Sequence, residues 1–242
     1  MKRALLLLLL AAGAALAQGR PEHGGGDHPR NSYADPSAVI SAEGELSRLA
    51  QDKGQWTAFA ATAAADAILF RPGMVYAIEW LKAQVNPPVP VQRQPQQVWS
   101  SCDGTLMVSH GAWRQGLVSG SFTTIWQRQA DGRYKWVLDQ NQATPQPLPQ
   151  VDMIAALIAD CPDRPKRPTD GPPHGREAKP KQEKARNLPP LDPLHRSGKS
   201  EDGSLRWDVT VDPTGGRTLT VNWTKDGAER AAFEGRTPAG LH

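Results

Sequence analysis

One histidine and two aspartates are the residues of this chain whose types and positions could support acid–base chemistry. His110 lies in a run of strand character, in phase with the apolar residues Leu106 and Val108. If those two face a pocket, an imidazole there could act as a general base, with Asp66 or Asp139 fixing its tautomer. A hydrogen-bonded core histidine is the alternative, and Asp66 could instead satisfy backbone donors in a turn. Periodicity leaves open whether Asp139 faces the pocket or water.

Three tryptophans could form the wall of a ligand site. Trp99, Trp126 and Trp136 lie in neighbouring runs of strand character. Aromatic residues at period two on adjacent strands pair across a sheet and bury large areas, which favours core packing. A curved sheet would also make these rings, with His110, a wall suited to a flat or hydrophobic ligand.

The first 17 residues have the pattern of a cleaved secretory signal, with Lys2 and Arg3 ahead of an apolar run and small residues up to Ala17. A retained membrane anchor is the alternative, but the apolar run is shorter than the roughly 20 residues of a spanning helix. No later segment is apolar enough for a second span. We therefore expect a secreted protein, in a bacterial periplasm, with no membrane span after cleavage.

Export has consequences for the two cysteines and for the partners. An oxidising compartment favours a disulfide between Cys102 and Cys161, with two buried free thiols as the alternative. The sequence contains no Cys-x-x-Cys spacing, Gly-rich phosphate loop, nucleophile elbow or metal-ligand spacing, so neither a cofactor nor a metal is expected. A net charge of only +3 on an exported chain argues against nucleic acid as a partner.

The main domain is predicted over residues 36–144, after a Gly-rich flexible linker at 18–35. Helical spacing begins at Ser37 and again near Gln55, and a third helical run spans 75–85 beyond a short apolar strand at 67–70. Four runs with strand character follow, at 96–102, 105–113, 119–129 and 133–141, separated by turns with hairpin chemistry. This order predicts an α+β domain in which about three helices cover one face of a bent antiparallel sheet.

The remaining chain divides into three segments. Residues 145–161 contain an amphipathic run that predicts a short helix packing on the domain. Residues 162–200 are rich in Pro and Lys without apolar periodicity, which is typical of a disordered linker. Alternating apolar residues return at 201–235 and predict a small β meander. Because such a meander is marginal alone, it should pack on the main domain or on another protein.

The span from about 37 to 142 resembles the nuclear transport factor 2-like superfamily, which includes SnoaL-like cyclases and ketosteroid isomerases. The resemblance rests on four stretches, "FAATAAADAILFRPG", "AIEWLKA", "SSCDGTLMVSHGAW" and "SGSFTTIWQRQADGRYKWVLDQ". It is greatest to an exported branch of unassigned function. The resemblance implies a cone-shaped sheet that encloses an apolar pocket with its helices, and a homodimer formed through the open sheet face.

The isomerase chemistry is not carried over by this resemblance. The isomerases place a base aspartate directly before a proline, and here Arg71 precedes Pro72. A guanidinium stays protonated and cannot accept a proton. We therefore expect a pocket that binds a small apolar or aromatic molecule, or a partner, without turnover. The alternatives are an isomerase, dehydratase or cyclase using His110 with a carboxylate, and a structural protein of the cell envelope.

Overall fold

A computed structural model describes residues 34–71, 73–161 and 188–240 of the chain. The predicted signal at 1–17, most of the linker at 18–35 and residues 162–187 of the second linker lie outside this description. The described part is an α+β structure with three helices and two sheets. None of its helices is both long and apolar enough to cross a bilayer.

The helices are α1 (Pro36–Lys53), α2 (Gln55–Thr62) and α3 (Ala77–Lys82). Helix α1 begins where the Asp35 carboxylate accepts the Ser37 backbone N–H at 3.1 Å, an N-cap followed by a proline in the first turn. It ends at Gly54, whose φ of 93° suits glycine and turns the chain directly into α2. Asp35, the last residue of the linker predicted over 18–35, is therefore part of the helix start and not of the linker.

Seven strands form the main sheet, in the order β2-β1-β6-β5-β4-β3-β7. They are β1 (Ala63–Phe70), β2 (Met74–Tyr76), β3 (Gln92–Ser100), β4 (Leu106–Gln115), β5 (Val118–Arg128), β6 (Tyr134–Ala143) and β7 (Ala155–Ile158). The pairs β1–β6 and β3–β7 are parallel and the others antiparallel, so the sheet is mixed. Register shifts in the β1–β6, β3–β4 and β5–β6 pairs are bulges of the kind that bend strands.

Two predicted segments have a different structure. The helix expected within 145–161 is wrong, because Ala155–Ile158 forms β7 in parallel pairing with β3. The apolar spacing of this short segment is compatible with a helix or a strand. It forms a strand because β3 offers backbone hydrogen-bonding partners along its edge. The linker predicted over 162–200 extends too far, because His195–Lys199 forms strand β8 against β9.

The main sheet is covered on both faces. We call the side packed by α1 and α2 the helix face, and the opposite side the outer face. A second, antiparallel sheet covers the outer face with the order β11-β10-β9-β8, where β9 is Leu205–Val211, β10 is Arg217–Lys225 and β11 is Ala228–Thr237. Apolar residues of this second sheet belong to the same buried cluster as those of the main sheet.

A disulfide joins Cys102, in the turn between β3 and β4, to Cys161, just after β7. It closes a loop with a sequence separation of 59 residues. Alongside it, Asp160 accepts a hydrogen bond from Lys225 Nζ at 2.9 Å and donates its own backbone N–H to Thr224 O at 2.9 Å. The end of β7 is therefore attached both to the main sheet and to the second sheet.

Removing this crosslink should lower stability, because the open chain gains conformational freedom mainly in the unfolded state. We expect the Cys102→Ser/Cys161→Ser variant to lose about 2–4 kcal/mol of unfolding free energy. Urea denaturation followed by tryptophan fluorescence measures the loss, and a reductant should shift the midpoint of the natural chain alone. Equal midpoints for the two proteins under oxidising conditions would contradict the prediction.

Candidate functional site

A buried arginine joins the helices to the main sheet. The Arg93 side chain, on β3, is 2% exposed and lies between two fully buried carboxylates. Its Nε donates to Glu43 of α1 at 3.1 Å, and one of its terminal nitrogens donates to Asp139 of β6 at 3.0 Å. The guanidinium also stacks over the ring of Phe122, 3.8 Å from its centroid. These contacts hold α1, β3, β5 and β6 in one arrangement.

Neutral donors complete the hydrogen bonding of the two carboxylates. Ser109 donates to Glu43 at 2.6 Å and accepts the indole N–H of Trp126 at 2.9 Å. Thr124 donates to Asp139 at 2.7 Å, and the Asn141 amide donates to the other oxygen of that carboxylate. Because each buried charge has charged and neutral partners, the cost of removing it from water is offset.

Electrostatics keeps this arginine charged. Burial alone would lower the pKa of Arg93, but the charges and hydrogen bonds of Glu43 and Asp139 raise it above its ordinary value. The arrangement therefore places two negative charges and one positive charge beneath the helices.

A cavity of about 150 Å³ opens above this cluster on the helix face. Its aromatic walls are Trp56, Phe59 and Trp113, and Arg93 with Asp139 forms its polar side. The other lining residues are Gln55, Leu69, Arg71, Val91, Gln115 and Asn141. Such a combination of apolar walls and a few polar groups is typical of a small-molecule site.

Loop contacts fix the start of α2 and so position the walls of this cavity. Asn86, from the loop after α3, accepts the Trp56 backbone N–H at 2.7 Å, where a helix N-terminus lacks internal partners. Gln55 accepts the Val91 backbone N–H at 3.0 Å, which attaches the chain leading into β3. Gln115 in turn donates to Val89 O at 2.6 Å. The rim is therefore built from three separate segments.

Arg71 is the second cation at this cavity. Its guanidinium lies over the ring of Trp80, 4.7 Å from the centroid, and 5.9 Å from that of Trp56. One terminal nitrogen donates to the carbonyl of Phe70 at 2.6 Å. Burial lowers the pKa of Arg71, which Asp139 partly opposes. Among the described residues no carboxylate forms an ion pair with this guanidinium, and the charge of Asp139 acts on it only from a longer distance.

The tryptophans proposed as a ligand wall lie elsewhere. Trp126 and Trp136 are completely buried on the helix face, and the Trp136 indole donates to Phe59 O at 3.0 Å. Trp99 lies on the outer face, where its ring packs 5.9 Å from that of Phe233 of β11. None of the three lines the cavity described above. Their positions correspond to the core-packing alternative.

His110 also faces the second sheet. Its ring lies 4.9 Å from that of Phe233, and its Nδ1 is hydrogen-bonded to Thr123 Oγ1 at 2.9 Å. Burial lowers its pKa, which a backbone hydrogen bond with Phe122 opposes. His110 shares the phase of Leu106 and Val108 and lies on the outer face beneath the second sheet, so it does not line the helix-face cavity. The main sheet separates it from Asp139.

The two aspartates have separate environments. Asp66 forms an ion pair with Arg196 of β8 at 2.8 Å, and its side chain is about half exposed. It borders a different cavity, of about 190 Å³, between the main sheet and β8. Asp139 reaches the helix-face cavity but is held by Arg93 and the neighbouring hydroxyl and amide. The structure therefore does not assemble His110 with either carboxylate.

The residues that sequence reasoning missed are Glu43, Arg93 and the aromatic lining residues Trp56 and Trp113. Arg93 lies in the polar run "VQRQPQQ", which gives no sign of burial. No group of three or more potential metal-ligating side chains occurs within 34–71, 73–161 and 188–240. The polar groups that line the helix-face cavity are arginine and amide side chains together with the Asp139 carboxylate.

No protein-family model matches the chain. No curated protein matches it either. Among solved structures, one similar chain is described as a "putative ketosteroid isomerase" from Parabacteroides distasonis, with 14% sequence identity and a TM-score of 0.36. The match covers 48% of this chain and 98% of the other. A likeness at this level carries no argument about activity.

Replacing the buried arginine should be strongly destabilising, since Glu43 and Asp139 would be left without their cation. We expect Arg93→Met to cost about 3–5 kcal/mol of unfolding free energy. The exposed Arg114 on the adjacent strand supplies the matched control, and Arg114→Met should change stability by no more than about 0.5 kcal/mol. Urea denaturation measures both, and similar losses for the two variants would show that the buried ion pairs contribute little.

The lowered pKa of His110 predicts a pH-dependent stability. Because the folded pKa lies below the ordinary value of 6.5, the unfolded chain takes up the proton first as the pH falls, which destabilises the folded state. Between about pH 7.5 and about pH 5, the natural chain should therefore lose more unfolding free energy than His110→Gln. Denaturation at the two pH values tests this. Identical pH dependences would contradict it.

Proposed function

We propose that this chain is an exported binding protein whose helix-face cavity holds a small anion with a flat, apolar body, without turnover. The observation that supports this most directly is the Arg71 guanidinium, which lies at an aromatic cavity and forms no ion pair with a described carboxylate. A guanidinium binds a carboxylate through two parallel hydrogen bonds, which gives both affinity and orientation. The rings of Trp56 and Trp113 would contact the apolar part.

The cavity volume limits the ligand. Binding sites for drug-sized molecules occupy about 300–1,000 Å³, whereas this cavity measures about 150 Å³. An occupant of roughly ten non-hydrogen atoms, such as a benzoate, is of suitable size. Burial strengthens the attraction of Arg71 for an anion, since little water competes. It also strengthens the repulsion from Asp139, whose charge is compensated by its ion pair with Arg93.

Binding rather than turnover is favoured by the groups around the cavity. Asp139, the carboxylate among the described lining residues, already accepts hydrogen bonds from Arg93, Thr124 and Asn141. The two arginines cannot accept a proton. An acid–base reaction needs a donor and an acceptor that converge on the substrate, and His110 is on the other face of the sheet. These positions support a site that orients a ligand.

Benzoate and its neutral isostere benzamide provide a direct test. Calorimetry on the natural chain should give binding of benzoate that exceeds binding of benzamide, since only the carboxylate pairs with Arg71. In Arg71→Gln, affinity for benzoate should fall by at least about tenfold, which corresponds to about 1.4 kcal/mol. Affinity for benzamide should change little.

Arg114→Gln is the matched control, because Arg114 is exposed on β4 and does not line the cavity. It should bind benzoate as the natural chain does. Equal affinity of the natural chain and Arg71→Gln for benzoate would refute the assignment of Arg71. Failure of the natural chain to bind any small aromatic acid would refute the proposed ligand class.

A further inference from the structure

Two turns in the chain share one sequence pattern. Residues 101–106 read "SCDGTL" and residues 200–205 read "SEDGSL", which is Ser-x-Asp-Gly-Ser/Thr-Leu in both. The first turn, 101–106, joins β3 to β4 in the main sheet. The second turn, 200–205, joins β8 to β9 in the second sheet. Each turn therefore connects the first two strands of a four-stranded antiparallel meander, β3–β6 for the first turn and β8–β11 for the second.

The two turns also fold in the same way. In each, the aspartate Oδ1 accepts from the hydroxyl of the preceding serine and from a backbone N–H two residues later, and the glycine has a positive φ. For the first turn these are Ser101 to Asp103 at 2.6 Å, Thr105 N to Asp103 at 2.9 Å, and Gly104 at 66°. For the second they are Ser200 to Asp202 at 2.6 Å, Ser204 N to Asp202 at 3.0 Å, and Gly203 at 73°.

The two turns bind each other reciprocally. Asp103 N donates to Asp202 Oδ2 at 3.0 Å, and Asp202 N donates to Asp103 Oδ2 at 2.9 Å. The Cys102 N–H donates to the Ser204 hydroxyl at 2.9 Å, and the N–H at the matching position of the second turn donates to the Thr105 hydroxyl at 2.9 Å. Contacts in which each partner offers the same groups to the other define a two-fold, self-complementary interface.

The strands after the turns match as well. Leu106 pairs with Gln127 on β5, and Leu205 pairs with Trp223 on β10. Each partner strand also has a bulge at the same distance from this pair. The register of β5 against β6 shifts after Ile125, two residues before Gln127. The register of β10 against β11 shifts after Val221, two residues before Trp223. The two meanders therefore share strand order, first turn and bulge position. Such agreement is a property of a structural repeat.

We propose that β8–β11 is an internal copy of β3–β6 that takes the place of a second subunit. The outer face of the main sheet is then a self-pairing surface, and a second copy of this chain binds it when the second sheet is released. The turn of a second main sheet offers the same acceptors as the second turn does, an aspartate Oδ2 and a hydroxyl, so the reciprocal hydrogen bonds can form again.

The internal copy is the better occupant of this surface. In the main sheet the large ring is Trp99 on β3, which pairs with Val108 on β4. In the second sheet the matching pair is Gly198 and Trp207, and a Cβ at Gly198 would lie 2.6 Å from the Trp207 ring. The two copies thus carry their tryptophan on different strands. Pairing of two main sheets would lose this fit, so the intact chain should remain a monomer.

Sedimentation of the full-length chain tests the proposal at loading concentrations from about 1 µM to about 100 µM. The natural chain should be monomeric throughout. Asp202→Ala/Ser204→Ala removes the acceptors that the second turn offers, and this released variant should form a concentration-dependent dimer. Its dimer fraction should rise with concentration over this range, while the natural chain shows no dimer at the highest concentration. Thr210→Ala, on the exposed side of the same sheet, should behave as the natural chain.

A third substitution identifies the surface. Adding Asp103→Ala to the released variant removes the acceptor that two main sheets would exchange, and should restore the monomer. A folded released variant that stays monomeric, a natural chain that is itself dimeric, or a dimer that persists after Asp103→Ala would each overturn the proposal. Near-ultraviolet circular dichroism of the tryptophans establishes folding. If the double variant aggregates, Ser204→Ala alone reports the same equilibrium with a smaller dimer fraction.

Discussion

The buried pairing of Arg93 with Glu43 and Asp139 is the constraint on which the arrangement of the main sheet and its helices depends. One guanidinium on β3 fixes the position of α1 through Glu43 and of β6 through Asp139. Both partners are almost completely removed from water, where an uncompensated charge is costly. The helices can therefore sit above the sheet in one position, and that position leaves the cavity beside Trp56 and Trp113.

The main sheet separates two kinds of surface. Its helix face combines buried charge with an aromatic cavity, where we propose that Arg71 pairs with an anionic ligand. Its outer face is covered by the second sheet, through contacts such as Phe233 with Trp99 and His110. The proposed ligand binding and the proposed self-pairing thus concern opposite sides of the same strands.

The helices and central strands could be predicted because their patterns are local. Apolar spacing indicates α1 and α2, and turn chemistry separates β3 to β6. The face occupied by His110 could not be predicted. Both faces of the main sheet are covered, so apolar residues alternate on both, and the pattern does not show which face is which. The burial of Arg93 depends on Glu43, 50 positions away. Strand β8 has no apolar alternation and forms only against β9. The repeated Ser-x-Asp-Gly turn, by contrast, is visible in the sequence.

A crystal structure of the chain soaked with 3-bromobenzoate would test the central claim most directly. The anomalous signal of bromine locates the ligand without reference to any expected pose. An anion held by Arg71 predicts a bromine peak in the helix-face cavity beside Trp56 and Trp113, with the carboxylate facing the guanidinium. A peak in the cavity between the main sheet and β8, or an unoccupied helix-face cavity at saturating ligand, would contradict the claim.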